Sequence, residues 1–246
     1  MDRLIYTAMT GANAAEHRQA ILANNLANVS TNGFRAELYT YRSVPVRGDG
    51  ATTRVMGLEA TPGFLDIPGS PQRTGRAMDA MTTGNAWFAV QGLDGTEAYT
   101  RNGSFEVDAT GLVKTNTGLT VLSDGGAPIT VPPGAEVTLG VDGTLTAKLG
   151  NQPSAGVGRL KLATPSAEDP LKRSADGLFR TTSGDPIAND VNARVQLGVI
   201  EGSNVNAIET MVSMIQAARQ FDAQTKMMTT AEADDRSAAQ LLSMQG

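Results

Sequence analysis

The sequence predicts an α+β fold: an antiparallel, coiled-coil-like pair of terminal α-helices around a central mainly-β domain. Three features point there. Every proline lies between Pro45 and Pro186, and only Gly11 and Gly246 fall outside Gly33 to Gly202. Both residues oppose helix interiors, so long helices are confined to the two ends. Apolar residues step by three and four at both ends. Between about Thr82 and Arg194, short strand-like runs alternate with glycine turns, at the spacing of an all-β domain rather than of alternating βα units. The expected division is residues 1–35 plus 200–246 as a terminal helical domain, 36–80 as an extended connector and 81–199 as the β-rich domain.

In the first helix, Asp2 suits the N-cap. Ile5, Ala8, Ala12, Ala15, Gln19, Leu22, Leu26 and Val29 make a heptad seam in which only Gln19 is polar. Its alanines permit close approach of a partner helix but bury little area. At about 25 cal/mol per Å2 such a seam stabilises weakly, so the helix is expected to be marginal alone. The pattern closes in Ala23-Asn24-Asn25-Leu26-Ala27-Asn28-Val29-Ser30-Thr31-Asn32-Gly33-Phe34. Asparagine amides compete for nearby backbone groups, and an Asn-Gly pair tolerates the left-handed conformation that ends a helix. These amides either bond another chain or satisfy the carbonyls of the helix end.

From Ala36 to about Ala80 no period persists. Arg42 to Gly50, Thr61-Pro62-Gly63 and Ile67-Pro68-Gly69-Ser70-Pro71 read as loops, with a few short strands between them. Beyond, Trp87-Phe88-Ala89-Val90 reads as a strand followed by a turn at Leu93-Asp94-Gly95. Ala98 to Arg101 and Ser104 to Val107 flank Asn102-Gly103, a strong hairpin signal. Further turns fall at Asp108 to Gly111, Asp124-Gly125-Gly126, Val141-Asp142-Gly143 and Asp176-Gly177. In the last helix, Asn206 with Glu209 resembles a capping box. Met211, Met214, Ala218, Phe221, Thr225 and Met228 step along one stripe, which Ala231, Ala238 and Leu242 extend. This methionine stripe is either an ordinary core face or an adaptable intermolecular one. If the exit near Gly33 adjoins the start near Ser203, the two helices run antiparallel, as a stalk projecting from the β domain.

Composition narrows the function. The 246 residues carry a net charge of −5 without a Lys/Arg run, which argues against nucleic acid or an anionic membrane as partner. There is no cysteine, hence no disulfide or thiolate site. Met1 to Tyr6 lacks the basic and then apolar regions of a secretory signal, and no apolar run approaches the roughly 20 residues of a spanning helix. A soluble protein is expected, with no membrane insertion; any export would leave the N-terminus uncleaved. His17 is the sole histidine and points away from the seam, so no metal site or triad is expected on it. Asp94, Asp108, Asp124, Asp142 and Asp176 sit beside glycines, where turns favour Asp for local hydrogen bonds. Gly92 to Gly95 matches no phosphate-binding template. No catalytic residue, metal ligand or cofactor is assigned, although a pair of glycosidase carboxylates would be invisible to sequence spacing.

Asn24-Asn25-Leu26-Ala27-Asn28 followed by Ser30-Thr31-Asn32-Gly33-Phe34 resembles the N-terminal signature of flagellar basal-body rod and hook proteins. Gly198-Val199-Ile200-Glu201-Gly202-Ser203-Asn204-Val205 resembles the segment that introduces that family's last helix. The run Met211 to Met228, with Gln216-Ala217-Ala218-Arg219-Gln220-Phe221, resembles the helix itself. Trp87 to Val90 and Tyr99 to Phe105 are similar to its central β domain. Met1 to Met9 and Leu241-Leu242-Ser243-Met244 look most like the proximal-rod type. Arg35 departs from the pattern, standing where lysine often follows Gly-Phe. The chain is also shorter than typical distal-rod subunits, which favours the proximal type.

The resemblance implies a structural subunit of the bacterial flagellar rod, exported by the flagellar export apparatus and stacked helically across the periplasm. Its terminal helices would line an inner tube, with the β domain as an outer layer. Its partners would be copies of itself and other rod subunits. The implied assembly interface comprises Ile5, Ala8, Ala12, Ala15, Leu22, Asn24, Asn25, Leu26, Asn28, Gly33 and Phe34 at one end. At the other it comprises Ser203, Asn204, Val205, Met211, Met214, Ala218, Phe221 and Met228. The alternatives are a distal-rod or hook-type axial subunit and, least supported, a cell-wall hydrolase built on the β domain.

Overall fold

A computed structural model describes residues 2–45, 55–59 and 63–243. Two long helices, α1 (Asp2–Ala27) and α2 (Ala207–Ser243), flank a run of short strands. The chain divides into two compact units. One holds Met1–Val29, Ala36–Leu65 and Val205–Gly246; the other holds Ser30–Arg35 and Asp66–Asn204.

In the helical unit, α1 and α2 pack as a pair, with Gly11 against the Gln224 side chain. Within the β-rich unit, Gly33 N–H donates to the Glu201 carbonyl (2.7 Å) and Asn204 N–H to that of Phe34 (3.3 Å). The chain therefore leaves α1 beside the segment that starts α2, and Gly11 meets Gln224 well beyond that point on both helices. The pair is antiparallel. Asn206 caps α2 as expected: its side-chain oxygen accepts from Ile208 N–H (3.1 Å) and Glu209 N–H (3.3 Å). The Asp2 side chain and the turns expected at 46–50 and Thr61-Pro62 lie outside the described residues.

Tyr41–Pro45 is not the start of a loop. It forms an antiparallel ladder with Val55–Glu59, and the latter strand packs on α1. Tyr41 donates its hydroxyl to the Ala14 carbonyl (2.6 Å), and the Arg18 guanidinium lies over Tyr39 (4.7 Å). Aromatic and β-branched residues at 39–44 favour strand over loop, although the strand itself is mostly exposed.

In the β-rich unit, Trp87–Gln91 is the centre of the largest sheet. It pairs antiparallel with Glu97–Thr100, Thr120–Val121 and Leu162–Ala163, and is buried from Trp87 to Val90. Covered on both faces, such a strand reads as a continuous apolar run, which is why Trp-Phe-Ala-Val shows no alternation. Val113, Leu145, Leu160 and Leu162 share its core. A three-stranded sheet (Glu136–Leu139, Thr144–Lys148, Ala155–Arg159) and the pairs Ala80–Thr82 with Val195–Leu197 and Pro71–Arg73 with Val199–Glu201 complete the unit.

The Asp-Gly turns form as expected. Gly95, Gly111, Gly126, Gly143 and Gly177 all have positive φ. Asn102-Gly103 is different. The strands beside it, Glu97–Thr100 and Phe105–Val107, do not pair with each other; the first pairs with Trp87–Gln91 and Phe179–Thr181, the second with Val113–Thr115. Gly103 has no positive φ, and a Cβ there would lie 1.7 Å from the Ala80 carbonyl oxygen. The glycine permits a backbone crossing instead of a turn.

Candidate assembly interface

The two helix stripes meet, displaced from the expected seams. On α1, Ala8, Ala12, Ala15 and Leu22 are buried and Ile5 and Leu26 half-buried. Gln19 and Val29 are exposed, while Arg18 and Asn25 take the inward positions. A step of three after Ala15 replaces the expected four and turns the face by one residue. On α2, Thr210, Ala217 and Ala231 are buried; Met214, Ala218, Phe221, Thr225 and Met228 flank them half-buried. Met211 lies outside, 50% exposed. The buried face of α1 is mostly alanine, and at Gly11 even a Cβ would lie 2.9 Å from the Gln224 side chain.

Outside that seam, Ile208 (76% exposed), Met211, Val212 and Ile215 lie at i, i+3, i+4 and i+7 on the first turns of α2. Tyr6 and Met9 are exposed on α1. A large apolar stripe facing water is a binding surface more often than an ordinary one. His17 is exposed on α1, as expected.

The asparagines have separate tasks. Asn25 is buried and bonds both sides of its amide to Glu37, donating to its carbonyl (2.9 Å) and accepting from its N–H (2.8 Å). Asn28 donates to the Asn24 carbonyl (2.9 Å), closing the helix end. Within this chain, Asn25 thus ties the helix end to the following segment, and Asn28 satisfies a carbonyl of the last turn.

Gly33 and Phe34 belong to the β-rich unit. Gly33 has φ +69°, and a Cβ there would lie 2.3 Å from the Arg101 carbonyl carbon. Phe34 is buried under the Arg173 guanidinium (4.5 Å), which also donates to the Arg35 carbonyl (3.3 Å). The Arg35 side chain is wholly buried and pairs with Glu201, itself wholly buried. Arg101 approaches the other Glu201 oxygen (3.6 Å), and Gly69 N–H donates to the first (2.9 Å). Both arginines lie over Trp87, Arg101 at 4.9 Å and Arg35 at 5.7 Å, with Phe179 at 4.6 Å. Burial pulls the Arg101 guanidinium down to about 10, against the opposing pull of Glu201. Sequence spacing missed this cluster, because its members lie far apart in the chain. The signal was a charge inside an apolar strand, Glu201 after Val199-Ile200.

The turn aspartates act locally. Asp94, Asp108, Asp142 and Asp176 each accept a backbone N–H from two residues on. The Thr96 hydroxyl holds Asp94 below its usual range and the Thr144 hydroxyl does so for Asp142; Lys114 does so for Asp108 and Arg180 for Asp176. Among the described residues no group of three or more acidic or histidine side chains is arranged to hold a metal, and no helix is long and apolar enough to cross a membrane.

Three family models match the chain: flagella basal body rod protein over residues 5–35, the flagellar hook protein FlgE/F/G D1 domain over 81–147, and the flagellar basal body rod FlgEFG protein C-terminal region over 196–241. Flagellar basal-body rod protein FlgF of Salmonella typhimurium is 44% identical, over 99% of this chain and 100% of the relative. That of Caulobacter vibrioides is 30% identical over 98% of both. Flagellar basal-body rod protein FlgG of Buchnera aphidicola (subsp. Baizongia pistaciae) is 30% identical over 93% of this chain and 95% of the relative.

Proposed function

The chain belongs to the flagellar basal-body rod protein family, and we propose from that premise that it is a structural subunit of the bacterial flagellar rod, of the proximal type. Subunits assemble helically through their terminal helices, with copies of themselves and with other rod subunits. The observation that carries this reading is the apolar face of Ile208, Met211, Val212 and Ile215, which its own helix pair does not cover. Heterologous contacts of that kind, when they do not close, build a helical assembly. The 44% identity to the Salmonella typhimurium FlgF, against 30% to the Buchnera aphidicola FlgG, favours the proximal over the distal type. The protein reaches the periplasmic rod through the flagellar export apparatus. Its role is structural, and the carboxylates of Asp94, Asp108, Asp142 and Asp176 serve their own turns.

The test is electron microscopy of basal bodies, with a swimming assay, in a strain lacking the gene. Rods should stop short, and the full chain should restore swimming. The Ile208→Asp/Ile215→Asp double variant should fold and reach the periplasm without restoring it. Normal rods in the deletion strain would overturn the reading. Crosslinking to a distal-rod or hook neighbour only would move the subunit along the axis. Peptidoglycan turnover lost with a single carboxylate would favour the hydrolase.

A further inference from the structure

We propose that Gly33-Phe34-Arg35 is a separable plug in the β-rich unit, latched by the buried Arg35–Glu201 ion pair, and that this one latch governs both chain segments that connect to the helices. Four observations converge on it. The plug is held by groups from distant parts of the sequence: the Arg101 backbone behind Gly33, the Arg173 guanidinium over Phe34, and the Glu201 carboxylate and carbonyl on Arg35 and Gly33. Among the described residues no strand ladder contains residues 30–35, so side-chain and single backbone contacts such as these hold them. Glu201 closes the segment that leads to α2, and Arg35 opens the one that follows α1; a single ion pair therefore ties the two together.

The fourth observation concerns charge. Two buried arginines share one buried carboxylate, and among the described residues Arg35 Nη2 and Arg101 Nε make no hydrogen bond. The half-exposed Asp66 stands 3.7 Å from Arg35 Nε. A buried carboxylate left with no cation is strongly disfavoured. Here Arg101 stays beside Glu201 when Arg35 leaves, and the faces of Trp87 accept the remaining cation. The unit is therefore built to survive with the plug out, and withdrawing Arg35 relieves crowding of like charge. The latch opens locally; the sheet behind it stays folded.

Trp87, the sole tryptophan, lies under both arginines and reports on the latch directly. The experiment uses the full chain and two variants that expel the plug by different routes. Arg35→Ala removes the ion pair. Gly33→Ala keeps every charge but sets a Cβ against the Arg101 and Asn102 backbone at a left-handed position. Three readouts are taken: Trp87 emission, chymotryptic cleavage after Phe34, and the far-ultraviolet β signal on heating. Both variants should shift Trp87 emission to the red. Cleavage after Phe34 should rise on the order of a hundredfold, as expected when a buried ion pair is truncated and the open state is sampled accordingly. The β signal should remain. Glu201→Gln should be more damaging than Arg35→Ala, since it takes the buried carboxylate from both arginines and leaves only half-exposed Asp66 beside Arg35. Unchanged emission and cleavage in either plug variant overturns the latch. Loss of the β signal in both shows the plug to be an inseparable part of the core, and overturns it equally.

Discussion

Asn25 replaces a strand with one side chain. Its amide presents an acceptor and a donor in the arrangement of a peptide unit, so Glu37 pairs with it as it would with a neighbouring strand. Because the site is buried, truncation removes both of its bonds to the Glu37 backbone. Asn25→Ala is expected to destabilise the helical unit by about 1–3 kcal/mol, measured by denaturant unfolding followed at a helical wavelength. Asn25→Asp keeps the acceptor but sets a second oxygen against the Glu37 carbonyl in a buried site, and should cost at least as much. Gly103 works by having no side chain at all. Gly103→Ala sets a methyl 1.7 Å from the Ala80 oxygen and 2.8 Å from the Phe88 ring. Since Phe88 is fully buried, neither neighbour has room to retreat, and loss of the folded β signal is the expected result.

At the scale of elements, α1 and α2 carry two faces with opposite demands. The inner face needs small residues. Ala12→Leu would add bulk at a position 4% exposed, and is expected to cost about 1–3 kcal/mol, read as a lower midpoint of helix melting with the β signal unmoved. The outer face of α2 tolerates change in the monomer and fails only in assembly, as the Ile208→Asp/Ile215→Asp pair is designed to show. Helices this poor in buried area depend on packing more than on propensity. The strand pair Tyr41–Pro45 and Val55–Glu59 adds to that packing, through Tyr41 on Ala14 and the second strand on α1.

For the whole molecule, acid is the informative variable. Asp94, Asp108, Asp142, Asp169, Asp176 and Asp190 are all held below the ordinary carboxylate range. A depressed folded-state value favours the native state above the unfolded value, near 3.9, and that support is lost as the pH falls through the folded values. Stability should therefore stay level from neutral pH to about 4 and decline below it. Thermal melts of the wild type and of Asp108→Asn with Asp142→Asn would check this; the variant should show a shallower decline.

The division of labour between sequence and fold follows from range. Glycine and proline placement, the three-and-four steps and the Asp-Gly turns all act within a few residues. The two helices, the β centre, the Asn206 cap and most turns were therefore legible in the chain. So was the family, since long motifs such as Asn24 to Phe34 are specific as strings. Contacts between distant segments were not. Only the folded chain decided that Arg18 and Asn25 face inward in place of Gln19, because two seams must mesh and neither alone sets its rotation. It also decided that Asn102-Gly103 crosses under Ala80 instead of turning, since a glycine's lack of a side chain serves either purpose. Arg35, Arg101 and Glu201 meet around Trp87 by the same logic: burial and charge pairing are properties of a place in space, and the chain brings those three together only once its sheets have closed.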